Sequence, residues 1–134
     1  MNATFLPNAT AARWNTGNSV WQGPHHDELD GRDHEGIHLV AVEDGELLGT
    51  CRLVMVGSTA QLSRLAVQRS ARRRGIATAL LELADIETRA LAGTRIVLHA
   101  QTYARDLYAQ AGYRTRGRTF REAGIEHIAM EKHL

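Results

Sequence analysis

The apolar residues of this 134-residue chain change period twice, and that change fixes the order of its secondary structure. Ile37-His38-Leu39-Val40-Ala41-Val42 reads as a strand, and Glu43-Asp44-Gly45-Glu46 as a turn carrying the Asp-Gly pair that tight hairpins favour. Residues 47–56 form the returning strand, Gly57-Ser58 the next turn and residues 60–67 a third strand, an antiparallel meander. The period then lengthens. Over residues 73–92 Ile76, Leu80, Ala84 and Leu91 fall on one helical face, with Thr78, Glu82, Asp85 and Arg89 on another and Gly93 as the stop. Arg95-Ile96-Val97-Leu98-His99-Ala100 returns to a short apolar strand suited to the buried middle of a sheet. Thr102 is placed to cap a second helix that runs to about Ala111 and ends at Gly112. Residues 113–120 and 125–132 complete the pattern as two strands separated by Arg121-Glu122-Ala123-Gly124. Strands, helix, strand, helix, strands predict a single α/β domain: a mixed, mostly antiparallel sheet flanked by helices.

Residues 1–36 read as an irregular segment ahead of a core over residues 37–134. Residues 1–24 are rich in Asn, Thr, Gly and Ala with no sustained period, and residues 25–36 form an acidic stretch with Asp27, Glu28, Asp30, Asp33 and Glu35. Mostly loop is expected there, with at most one short helix or strand. The length suits one hydrophobic core that needs no metal or disulfide to fold. Cys51 is the only cysteine, so no intrachain disulfide can form; that fits a reducing cytoplasm, with Cys51 a small buried hydrophobe. A basic-then-apolar leader is absent, and no apolar run approaches the roughly 20 residues that span a bilayer. The expected setting is cytoplasmic, away from the membrane.

Chemistry concentrates in Gln68-Arg69-Ser70-Ala71-Arg72-Arg73-Arg74-Gly75-Ile76-Ala77, where a strand feeds a helix. Such a turn leaves unpaired N–H groups and the positive end of the helix dipole facing outward, a ready site for a phosphate. Gly75 and Ala77 let a pyrophosphate approach the backbone, and Arg72, Arg73 and Arg74 surround it with charge. A solvated turn and a nucleic-acid patch are the competing readings. A net charge of +1, two Phe and two Trp supply neither the basic stripe nor the aromatic platform of a nucleic-acid binder, so no such partner is expected. His25, His26, Asp27, Asp30, Asp33, His34 and His38 match no standard metal spacing; no metal is expected, and the acidic stretch suits a loop facing a cationic amine. In the last strand Ile125, His127 and Ala129 share a face, so His127 is either structural or a base for an ammonium. His99, in a buried-looking strand, reads as a hydrogen-bonded core residue.

Val67, Arg72, Gly75 and Ala77 fit, in spacing and strand–turn–helix context, the Gln/Arg-x-x-Gly-x-Gly/Ala motif of the GNAT family of N-acetyltransferases, which the chain resembles from about Asp27 to Leu134. The resemblance implies acetyl-coenzyme A as co-substrate. Leu65, Ala66 and Val67 would pair with its pantetheine arm; Arg72, Arg73, Arg74, Gly75, Ile76, Ala77 and Thr78 would hold its pyrophosphate. Leu107-Tyr108-Ala109-Gln110-Ala111-Gly112-Tyr113 looks like the family's second coenzyme segment, with Tyr108 as the acid that protonates the departing thiolate. The segments around His99 and from Phe120 to Lys132 are similar to a small ElaA-like bacterial branch and, more distantly, to glyphosate N-acetyltransferase. That likeness implies His127 as base and Arg64 as a substrate-binding residue. Gln101 stands where a second substrate arginine would be, and Glu126 where a proline is common.

Family members open with a strand and two helices, and residues 1–24 show no such segment. The acceptor half is therefore expected to be shortened or rebuilt: left open, completed by a second copy in a homodimer, or inactive. The implied function is direct acetyl transfer to a small-molecule amine without a covalent intermediate. The alternative is a non-catalytic coenzyme A-binding or interaction protein that kept the fold.

Overall fold

The computed structural model describes residues 9–14 and 36–134. They form one seven-stranded sheet from β1 (Ala9–Trp14), β2 (Ile37–Glu43), β3 (Glu46–Val56), β4 (Thr59–Val67), β5 (Arg95–Gln101), β6 (Arg114–Glu122) and β7 (Ile125–His133), in the order β1-β2-β3-β4-β5-β7-β6. Two helices, α1 (Ile76–Ala90) and α2 (Arg105–Gln110), interrupt the strands. All neighbours are antiparallel except β4 and β5. The expected mixed α/β domain is present.

The local chemistry explains most boundaries. Asp44 (φ 51°) and Gly45 (φ 81°) both take the left-handed conformation that joins two strands through a two-residue turn. Ala123 (φ 54°) and Gly124 (φ 77°) do the same between β6 and β7. The expected four-residue turn there is thus two residues long, and Arg121 and Glu122 pair with Glu126 and Ile125 in the ladder. The first helix begins at Ile76 and not at Arg73, because Arg73 (φ 65°) and Gly75 (φ 83°) lie outside the helical region. Thr102 caps nothing: residues Thr102–Ala104 form a 3-10 turn, Ala104 is the N-cap of α2, and the Thr102 hydroxyl donates to Glu126 Oε1 at 3.3 Å.

The core lies between α1 and the sheet. Ile76, Ala79, Leu80, Leu81, Ala84 and Thr88 of α1 are buried, as are Leu39, Leu53, Ile96 and Met130 of the strands. Burying an aliphatic side chain of this size contributes about 1.5–3 kcal/mol, so α1 is held by packing. Leu91 does not join its face; it is 39% exposed, beyond the last helical residue. Lys132 on β7 donates to Asp85 on α1 and to the Ala111 carbonyl at 2.8 Å, tying the end of α2 to both.

β5 departs from expectation. Only Ile96, Leu98 and Ala100 are buried, while Arg95, Val97, His99 and Gln101 point to the other face. His99 is exposed and is not a core residue. Successive side chains of a strand point to opposite faces, and this period of two overrides the apolar composition of β5.

β1 is a short strand of the kind allowed for in residues 1–36. It pairs antiparallel with β2 from Ala9↔Glu43 to Trp14↔His38, extending the sheet beyond the core boundary expected at residue 37. Its sequence, ATAARW, is too short and weakly patterned to announce a strand; backbone pairing fixes it. The acidic stretch with its amine-facing loop, and the His25, His26, Asp27, Asp30, Asp33 and His34 cluster, lie outside the described residues. Among the described residues no helix is long and apolar enough to cross a membrane.

Gly93 acts through space as well as sequence. A Cβ there would stand 2.5 Å from Thr88 Cγ2 and 3.0 Å from Met55 Cε, both held against the sheet. Gly93→Ala should therefore destabilise the fold by about 1–3 kcal/mol, the range for an overpacked core, read as a lower urea midpoint with unchanged slope.

Candidate active site

β4 and β5 are paired over only three positions, Thr59↔Arg95, Ala60↔Ile96 and Gln61↔Val97. Beyond Gln61 each strand follows its other neighbour. β5 stays with β7 as far as Gln101↔His127, while β4 follows β3 through an irregularity opposite Cys51, where Arg64 takes φ 59°. The sheet opens there, and among the described residues no strand pairs with the β5-facing edge of β4 at residues 65–67.

The turn after β4 is anchored to β3. Gln68 donates from its backbone to the Leu48 carbonyl (2.8 Å) and from its side chain to the Leu47 carbonyl (2.6 Å). A 3-10 turn, Arg69–Ala71, then carries the chain to Gly75, the N-cap of α1. The first intrahelical bond is Ala79 N–H to the Gly75 carbonyl (3.0 Å); no side chain caps the end and its first turn holds no acid. The amides at the start of α1 are left for an external anion.

A groove of about 440 Å³ lies against this end, lined by Leu65, Val67, Arg72, Arg73, Gly75, Ile76, Ala77 and Thr78 together with Ala71, Tyr103, Ala104, Leu107 and Tyr108. Eight of the ten positions expected to hold the coenzyme are in this lining. Arg74 is not; its guanidinium turns to Glu43 Oε2 at 2.8 Å. Ala66 is not either, standing opposite Thr50 in the β3–β4 ladder.

A second cleft, about 750 Å³, occupies the gap between β4 and β5. Leu65, Tyr103, Ala104 and Tyr108 line both spaces, so Tyr108 stands where the two meet. Its ring is buried and meets Tyr113 edge-on at 6.0 Å between centroids. Burial, with smaller contributions from Cys51 and Tyr103, pushes its pKa up to about 12, so the phenol keeps its proton at neutral pH.

His127 and Arg64 line the same cleft. His127 is buried, with Nδ1 2.7 Å from the Ile125 carbonyl oxygen. A carbonyl only accepts, so Nδ1 carries the proton and neutral His127 presents Nε2 as a lone pair. Phe120 stacks on its ring at 6.0 Å. The structure thus brings Tyr108, His127 and Arg64 to one cleft from α2, β7 and β4.

Several lining residues lie outside the sequence motifs. Tyr103, 83% exposed, flanks the groove from the turn before α2, four residues ahead of Leu107 of the expected second coenzyme segment. Arg52, Arg116, His99 and Glu122 line the cleft. Strict alternation along β5 would have turned His99 and Gln101 to one face, and the two-residue Ala-Gly turn would have returned Glu122 to a strand.

An acetyltransferase (GNAT) domain model matches residues 18–134. A Bacillus subtilis (strain 168) protein provisionally named an acetyltransferase is 30% identical over 106 residues, 79% of this chain and 72% of that protein. Among solved structures, a GNAT family acetyltransferase from Elizabethkingia anophelis with acetyl-CoA bound superimposes with a TM-score of 0.74 at 18% identity, covering 95% of this chain and 99% of that one. Escherichia coli ElaA gives a TM-score of 0.70 at 20% identity over 81% and 76% of the two chains. Opened sheet, uncapped helix start and family match agree: the chain belongs to the GNAT acetyltransferase family.

Proposed function

We propose that this protein transfers an acetyl group from acetyl-coenzyme A directly to the nitrogen of a small-molecule amine. The observation that carries this reading is the placement of Tyr108 at the junction of the groove and the cleft. One space supplies phosphate-binding amides and a free strand edge; the other supplies a base and room for an acceptor.

The residues divide the work. The amides of Gly75, Ile76, Ala77 and Thr78, with Arg72 and Arg73, hold the pyrophosphate. The unpaired edge of β4 at Leu65, Ala66 and Val67 pairs with the amide groups of the pantetheine arm, as an edge strand pairs with an extended peptide. That lays the thioester beside Tyr108. The amine attacks the thioester carbonyl; as the C–N bond forms and the C–S bond breaks, His127 Nε2 takes a proton from nitrogen and Tyr108 gives its proton to the thiolate. Arg64 orients the acceptor. Cys51 stays out: it is buried, and burial pushes its thiol up to about 12, so no thiolate is available to carry the acetyl group.

Acetyl transfer followed by thiol release over an amine panel tests the reading; cofactor binding without transfer to any amine would overturn it. Tyr108→Phe and His127→Ala should each lower kcat about 100-fold or more while coenzyme A affinity stays within about twofold. With Tyr108 protonated up to about 12, the wild-type rate should show no alkaline fall from this group between roughly pH 7 and 10. Ala77→Glu separates binding from folding. A carboxylate in the first turn of α1 favours the helix by about 0.3–1 kcal/mol yet repels a pyrophosphate. Calorimetry should find coenzyme A at least about tenfold weaker, with an equal or higher thermal midpoint.

A further inference from the structure

His99 and Glu122 make a dyad at the cleft, reaching it from β5 and β6 across β7. His99 Nδ1 lies 2.9 Å from Glu122 Oε1. A carboxylate accepts, so Nδ1 carries the proton and Nε2 offers a lone pair, the same tautomer as His127. Phe120 holds the two imidazoles apart, meeting His99 edge-on at 5.0 Å and His127 face-on at 6.0 Å. The dyad differs from His127 in two respects. It is about half exposed, 56% for His99 and 51% for Glu122, and its imidazole is backed by a charge where His127 is backed by a backbone carbonyl.

The proposed reaction moves two protons off nitrogen. An aliphatic amine enters as an ammonium, which has no lone pair; it must lose one proton before it attacks and another as the amide forms. His127 and Tyr108 account for the second. We infer that the His99–Glu122 dyad is a second catalytic site in the same cleft, accepting the first proton from a cationic primary amine and passing it to solvent. In that step the ammonium N–H bond breaks and an N–H bond forms at His99 Nε2. The resulting imidazolium is stabilised by the Glu122 carboxylate, and the proton leaves to water through the exposed side of the pair. The free amine then attacks, and the balance is one proton to solvent and one to the coenzyme thiol. The cleft's other ionisable lining residues are Arg52, Arg64, Arg116, His127, Tyr103 and Tyr108, so Glu122 is the only carboxylate among the described lining residues.

This inference rests on the acetyltransferase reading, and the test separates the two. Initial rates are compared for a primary alkylamine, protonated at neutral pH, and O-methylhydroxylamine, which is neutral there. His99→Gln and Glu122→Gln should each lower kcat/KM for the alkylamine about tenfold or more at pH 7. The deficit should shrink as pH rises, and the rate with O-methylhydroxylamine should stay within about twofold of wild type. His127→Ala should slow both acceptors at every pH. A wild-type rate on the alkylamine in both dyad variants, or an equal loss on both acceptors, overturns the inference. An unaltered protein that transfers to no amine overturns the acetyltransferase reading instead. Imidazole nitrogen NMR adds a readout without turnover: Glu122→Gln should release His99 from the Nδ1–H tautomer, and an unchanged tautomer would show that the dyad does not form.

Discussion

The brevity of the β4–β5 ladder is the constraint on which the rest of the site depends. Three paired positions join two halves of the sheet that are otherwise each antiparallel and self-contained. A longer ladder would close the gap and remove both the free edge of β4 and the cleft beside it. A shorter one would separate the halves. The irregularity between β3 and β4 at Arg64 steers β4 away from β5 while keeping it bonded to β3. The backbone accepts a left-handed arginine there, and the bend turns Arg64 into the opening.

The two reactive side chains depend on separate supports. Tyr108 is placed by a helix of six residues, too short to be stable by itself, whose end is fastened where Lys132 reaches both Asp85 and the Ala111 carbonyl. His127 is placed by strand register, directly opposite Gln101, and its tautomer by the Ile125 carbonyl. The helix and the strand meet through the core beneath them. Packing of Tyr108 against Tyr113 links the helix to the start of β6.

How much of this could be read in the sequence follows from how local each signal is. The Asp44-Gly45 hairpin, the helix over Ile76 to Ala90 and the arginine-glycine turn are encoded within a few residues, and all were legible. So was the groove's lining at eight of the ten positions expected to hold the coenzyme, because strand, turn and helix dictate which backbone faces outward. The direction of Arg74 is not legible locally, because its partner, Glu43, lies 31 residues away. An apolar run does not reveal which of its residues face the core, so His99 looks buried in the sequence and is exposed in the fold. Glu122 was assigned to a turn because the left-handed geometry of Ala123 is not a property alanine advertises. β1 was nearly invisible, its existence owed to the strand beside it. Long-range partners, more than local propensity, were what the sequence withheld.

β6 ends the sheet, and its composition has a bearing on how the molecule behaves in a crowd. An outermost strand offers a row of unsatisfied backbone groups to any other extended chain. Here that strand reads RTRGRTFRE, with arginines at 114, 116, 118 and 121, and Gly117 (φ 81°) lies where the ladder with β7 slips register. Clustered like charge and a kinked backbone make it a poor template for strand addition. A second copy approaching edge to edge would meet four guanidinium groups bearing on its own four. At this edge charge and backbone shape both work against strand addition.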